Sequence, residues 1–116
     1  MQTALLFLVF NRPDTTTQVF KKIRQAKPPR LYVASDGPRD GNSDDKKKVT
    51  KVREIATKVD WPCEVKTLFR DKNLGCKKGV STAITWFFEH EERGIILEDD
   101  CVPNLDFFTF CENLLE

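Results

Sequence analysis

The chain has 116 residues, enough for one domain with a modest core. Its 19 basic and 18 acidic residues leave a net charge of +1, which argues against nucleic acid or an anionic membrane as partner. The apolar run 4–10 is too short to cross a bilayer, no cationic stretch precedes it, and Asn11-Arg12-Pro13 lacks the small residues of a leader-cleavage site. Cys63, Cys76, Cys101 and Cys111 form no C-x-x-C pair, and the single His90 is not placed to complete a zinc site. Free thiols in a cytoplasmic protein are therefore expected.

The first element is a strand over residues 5–10, almost continuously apolar. Pro13-Asp14 opens a helix with Val19, Phe20, Ile23 and Ala26 on one stripe, and Pro28-Pro29 ends it. A second strand follows at 31–34. The segment 36–45, with two glycines and a proline, is the most polar stretch and is expected to be a flexible loop. Ser43 is the expected N-cap of a second helix carrying Val49, Val52, Ile55, Ala56 and Val59, closed by Trp61-Pro62. Its Lys46-Lys47-Lys48 run is a solvated face. Residues 65–69 form a third strand, less apolar and thus suited to a sheet edge. Gly75 allows a tight turn into a third helix with Val80, Ala83, Ile84, Phe87 and Phe88 on one face. A fourth strand spans 95–97. A fourth helix opens near Pro103-Asn104 and repeats Phe107, Phe108, Cys111, Leu114 and Leu115.

The order βαβαβαβα predicts an α/β fold: a mainly parallel sheet of about four strands with helices on both faces. Near-continuous apolar strands fit a sheet covered on both sides. In such sheets ligands bind beyond the carboxyl ends of the strands. Here those ends read Asn11-Arg12, Ser35-Asp36-Gly37-Pro38-Arg39, Arg70-Asp71-Lys72-Asn73-Leu74-Gly75 and Glu98-Asp99-Asp100. All four are polar.

The acidic triplet carries the most chemistry. Like charges about 4 Å apart repel by roughly 1 kcal/mol in water and about 4 kcal/mol at an effective dielectric of 20. A cation relieves that cost, and hard oxygen ligands select Mg2+ or Mn2+. If strand geometry persists, Glu98 and Asp100 face one way and Asp99 the other, so one or two of the three bind metal while another orients water or a sugar hydroxyl. The alternative is that the acids cap the last helix and pair with lysines. Asp36 can accept hydrogen bonds from a ribose or a base, or act as the turn aspartate of Ser-Asp-Gly-Pro. Arg12 suits phosphate or a base edge; alternatively it is an exposed turn arginine. Arg70, Lys72, Lys77 and Lys78 can neutralise a diphosphate or balance the acids. No glycine-rich motif supports a P-loop NTPase or a dinucleotide-binding dehydrogenase.

These segments together resemble the N-terminal, nucleotide-binding half of GT-A fold glycosyltransferases. The resemblance is carried by Leu5-Phe10 with Asn11-Arg12-Pro13, by Ser35-Asp36-Gly37, by Asn73-Leu74-Gly75, and above all by Ile96-Leu97-Glu98-Asp99-Asp100 with Pro103 and Phe107-Phe108 beyond. The acidic stretch is similar to the D-x-D-type motif in the E-D-D form of N-acetylglucosaminyltransferase I and of bacterial haemolysin-related transferase-like proteins. The resemblance implies a Rossmann-like half of that fold, a donor-binding domain at 1–116 truncated at its C-terminus, and a metal-dependent transferase in the full-length protein. It implies a nucleotide-diphospho-sugar donor, UDP-linked in that branch, and a glycan or other hydroxyl acceptor. Carried over, Asp100 binds Mn2+ or Mg2+ directly, with Glu98 and Asp99 supporting the metal or the ribose. Asn11, Arg12, Asp36 and Asn73 hold the nucleoside. No catalytic base can be named, so the fragment alone is expected to be inactive. A non-catalytic nucleotide-binding or assembly module is the competing expectation. A phosphatase or response-regulator-like domain fits poorly, because Asn11-Arg12 stands where those folds want an acid.

Overall fold

A computed structural model describes residues 2–115. Strands β1 (Leu5–Val9), β2 (Arg30–Ser35), β3 (Glu64–Phe69) and β4 (Ile95–Glu98) alternate with helices α1 (Pro13–Ala26), α2 (Ser43–Ala56), α3 (Cys76–His90) and α4 (Leu105–Leu115). The sheet is wholly parallel, in the order β3-β2-β1-β4. β3 lies at an edge, as its mixed composition foreshadows. β1 sits centrally, with Leu5 opposite both Leu31 and Ile95.

The two faces carry separate cores. Leu5, Phe7, Val9, Leu31, Val33, Ile95 and Leu97 pack against Val19, Phe20 and Ile23 of α1, Val52 and Ala56 of α2, and Phe108 of α4. Leu6, Leu8, Tyr32 and Ala34 pack against Ala83 and Phe87 of α3. The strand alternation of a two-sided sheet accounts for this split, and for the unbroken burial of β1. The chain steps outward from β1 to β2 to β3, then returns across the sheet to β4 on the other side of β1. Right-handed crossovers in opposite directions put helices on opposite faces, which is why α3 stands apart from the other three.

Several local expectations are corrected. The N-cap of α2 is Asn42, whose side-chain oxygen accepts the Asp45 N–H, and not Ser43. α2 ends at Ala56, before Trp61-Pro62. Trp61 instead packs on Phe20 and donates its ring N–H to the Pro28 carbonyl at 2.9 Å. α1 stops where Lys27 takes a left-handed φ of 52° and returns its N–H to Ile23. Phe88 and Leu114, assigned to buried stripes, are 44% and 70% exposed. Trp86 takes the inward place on α3, edge-on to Tyr32. Gly75 opens α3 with φ 87°, as the turn requires.

Candidate functional site

The carboxyl ends of all four strands open onto one cavity of about 580 Å3. Its floor is apolar, built from residues such as Leu8, Ala34, Leu68, Val80 and Ala83. Its rim is charged: Asp36, Glu98, Asp99 and Asp100 share it with Arg12, Arg39 and Arg70. Asn11 and Asn73 also line it, so the residues singled out for the nucleoside and the metal share one cavity with Arg70, whereas Lys72, Lys77 and Lys78 do not line it. The strand order explains the convergence. The direction of chain progression reverses between β1 and β4, and the crevice left at such a reversal is where open parallel sheets take ligands.

At the β1–β4 junction the strand ends at Glu98, and Asp99-Asp100 lie in a turn. The Asp99 N–H still reaches the Leu8 carbonyl at 3.1 Å, extending the ladder by one rung. Its carboxylate accepts the Phe10 N–H at 3.0 Å. Asp99 is therefore half-buried and tied to the end of β1, whereas Glu98 and Asp100 are exposed. Burial raises the Asp99 pKa against the lowering bond from Phe10; the neighbouring Asp100 raises it further and Arg12 draws it down. Asp100, for its part, pushes the Cys101 thiol upward.

Asp36 spends its carboxylate on backbone. One oxygen accepts the N–H groups of Gly37 and Leu74 at 2.9 and 2.8 Å, and the other accepts Gly75 at 3.1 Å. Asn73 reinforces the same junction, donating to the Gly37 carbonyl at 2.8 Å and accepting from Gly75 at 3.1 Å. The turn role weighed for Asp36 is thus filled. A carboxylate offers about four acceptor positions, so one remains for a ligand hydroxyl or N–H. Close packing here excludes side chains: a Cβ on Gly37 would lie 2.5 Å from the Lys72 carbonyl carbon.

Two arginines that sequence reasoning did not single out organise the rim. Arg53, reaching up from α2, donates to Ser35 Oγ at 3.0 Å and to the Arg70 carbonyl at 2.7 Å, and stacks over Phe69. Burial lowers its pKa, against the pull of Asp71 and Asp36. Arg39 pairs with Asp45, which is 2% exposed and also accepts the Asn11 amide at 2.9 Å. The Arg39 and Asn11 bonds hold the Asp45 carboxyl well below the usual carboxylate range. The segment 36–45, expected to be loose, is therefore anchored by its last residue. The spacing Asn42-x-x-Asp45 does mark a helix start, since an Asn cap accepts the N–H three residues on, but it does not say that the Asp45 side chain turns to Arg39 and Asn11.

Comparison with protein families, with curated proteins and with solved structures finds no match to this chain. Among the described residues no three His, Cys, Asp or Glu side chains converge as a ready-made metal cage, and no helix is long and apolar enough to cross a membrane. The donor set nonetheless suits one kind of cation. Mg2+ and Mn2+ in nucleotide sites are commonly held by one or two carboxylates, with phosphate oxygens and water completing the shell. Glu98 and Asp100, exposed on the cavity rim, have that character.

Proposed function

We propose that this chain is the donor-binding part of a metal-dependent glycosyltransferase, taking a nucleotide-diphospho-sugar, UDP-linked, whose sugar passes to a glycan or other hydroxyl acceptor in the full-length protein. The observation that carries the reading is the meeting of the acidic β4 end with Asn11, Arg12, Asp36 and Asn73 on one cavity at the sheet's reversal point. Asp100 and Glu98 would hold Mn2+ or Mg2+, with Asp99 bracing them from the end of β1. Bound there, the cation would supply charge neutralisation for the leaving diphosphate. The chain's own residues do the rest. Arg12 and Arg70 bring positive charge to the phosphates. Asp36 keeps one acceptor for the nucleoside, and Asn73 fixes the loop that presents it. The apolar floor excludes water from beneath a flat ring.

A site with two available carboxylates binds bare metal poorly and metal with diphosphate well. Calorimetry should therefore show UDP binding that needs Mn2+, and Asp100→Ala should weaken that binding at least tenfold. Unchanged affinity in a folded Asp100→Ala protein rejects the proposal. The engagement of Asp36 and Asp99 by backbone N–H groups favours one other reading, a non-catalytic nucleotide-binding module that needs no metal. That reading requires equal UDP affinity with Mn2+ and with a chelator.

A further inference from the structure

Asp45 is the most deeply buried carboxylate on the chain's polar rim, and it holds a single arginine in place. It accepts from Arg39 three times, at the backbone N–H (3.2 Å), at Nε (2.5 Å) and at Nη2 (2.8 Å). The fourth donor is Nδ2 of Asn11, at the end of β1. Asp45 is itself fixed, since its own N–H is bound by the Asn42 cap of α2. Arg39 thus has both backbone and guanidinium plane set before any ligand arrives, yet its side chain remains 57% exposed and lines the cavity.

Two consequences follow from this geometry. A preoriented planar fork loses little further freedom on binding, so its remaining N–H groups act as a directional probe. Its charge is also matched at contact by Asp45, so it is a poor attractor for phosphate. What suits a neutralised, oriented donor is a neutral acceptor of fixed direction, such as a ring carbonyl. Leu68, Val80 and Ala83 line the same cavity, and their apolar surface suits the flat face of such a ring. Arg12 and Arg70, neither of them ion-paired among the described residues, remain for the anionic part of the ligand.

We propose that Arg39 is the specificity-determining contact to the nucleobase, donating to a ring carbonyl from the guanidinium edge that Asp45 leaves open, with Asp45 and Asn11 as positioning residues. This rests on the nucleotide-binding reading given above. The test is calorimetry in the presence of Mn2+ with two probes, UDP and inorganic pyrophosphate. Arg39→Ala should weaken UDP about tenfold and leave pyrophosphate unchanged. Arg39→Lys should behave like Arg39→Ala, because lysine keeps the charge and loses the fork. Asp45→Asn, checked for folding by circular dichroism, should lose UDP affinity while retaining that for pyrophosphate. If Asp45→Asn does not fold, the two Arg39 variants decide. The inference is overturned if Arg39→Ala binds UDP like the wild type, if both probes weaken together, or if Arg39→Lys restores UDP binding. Wild-type protein that binds no UDP under any condition sinks the parent reading and this one with it; normal wild-type binding with an indifferent Arg39→Ala sinks this one alone.

Discussion

The carboxylates on and beside the cavity rim divide into those that hold backbone or arginine and those left to the cavity. Asp36, Asp99 and Asp45 belong to the first group, Glu98 and Asp100 to the second. Asp45 makes the division measurable. Its pKa is depressed by Arg39 and Asn11, so it binds its proton more weakly in the folded state than in the unfolded. Its stabilising contribution is complete above the unfolded value of about 4 and is lost as pH falls through that value toward the depressed one. Thermal denaturation followed from pH 7 to pH 2 should show an acid limb that is shallower in Asp45→Asn. An identical limb would mean that the pairing contributes nothing. Local sequence could not reveal this residue's burial, because its partners Asn11 and Arg39 come from other segments and Asp44-Asp45 before three lysines looks like ordinary helix surface. Asp36 posed the same difficulty in reverse. Its type and place were legible, but its backbone partners at Leu74 and Gly75 lie across a whole helix and strand.

The elements themselves were readable because their signals are local. Continuous apolar runs marked strands covered on both sides, and 3.6-residue stripes marked the helices between them. The misplaced residues are those whose environment depends on neighbours. Phe88 touches the α3-side core only edge-on through Phe87 and stays partly exposed, and Leu114 is on the outer side of α4. Strand pairing was not legible either, since nothing in β4 states that it lies beside β1. One constraint at this scale is sharp. The loops after β2 and β3 approach so closely at Gly37 that an added methyl meets the carbonyl carbon and oxygen of Lys72 at 2.5 and 2.7 Å. Backbone cannot yield as a flexible side chain does. Gly37→Ala should cost about 1–3 kcal/mol in urea denaturation, as overpacking does, and should weaken UDP by displacing Asp36 and Asn73. A variant of wild-type stability would show that the loops separate freely.

At the scale of the molecule, the sheet has a cavity at one end and a stabilising cluster at the other. Opposite the cavity, Tyr32 donates to Glu91 at 2.6 Å while Arg30 grips the same carboxylate with two bonds. Burial, with the Glu91 bond and charge, pushes the Tyr32 pKa up to about 12. A raised tyrosine holds its proton more tightly when folded. Its contribution is present below the unfolded value of about 10 and fades as pH climbs from there to about 12. Tyr32→Phe removes a hydrogen bond to a charged group and should cost about 1.5–3 kcal/mol near neutrality. It should also leave nucleotide affinity as in the wild type, since the two ends share no side chain. A matching loss of affinity would show the ends to be coupled.

β4 hangs on the sheet by a single neighbour. β1 and β2 each have a strand on both sides, but the backbone of β4 bonds to β1 alone, and that pairing closes the longest loop in the sheet. Amide protons of Ile96 and Leu97 should accordingly trade with deuterated solvent sooner than those of Phe7 or Val33, through openings smaller than global unfolding. Each such opening would carry Glu98 and Asp100 away from the rest of the rim, while Asp36 and Asn73 stay bound at the turn before α3 and Arg39 stays bound to Asp45. A ligand that touches both halves would act as a clasp, slowing exchange along β4 far more than anywhere else in the chain.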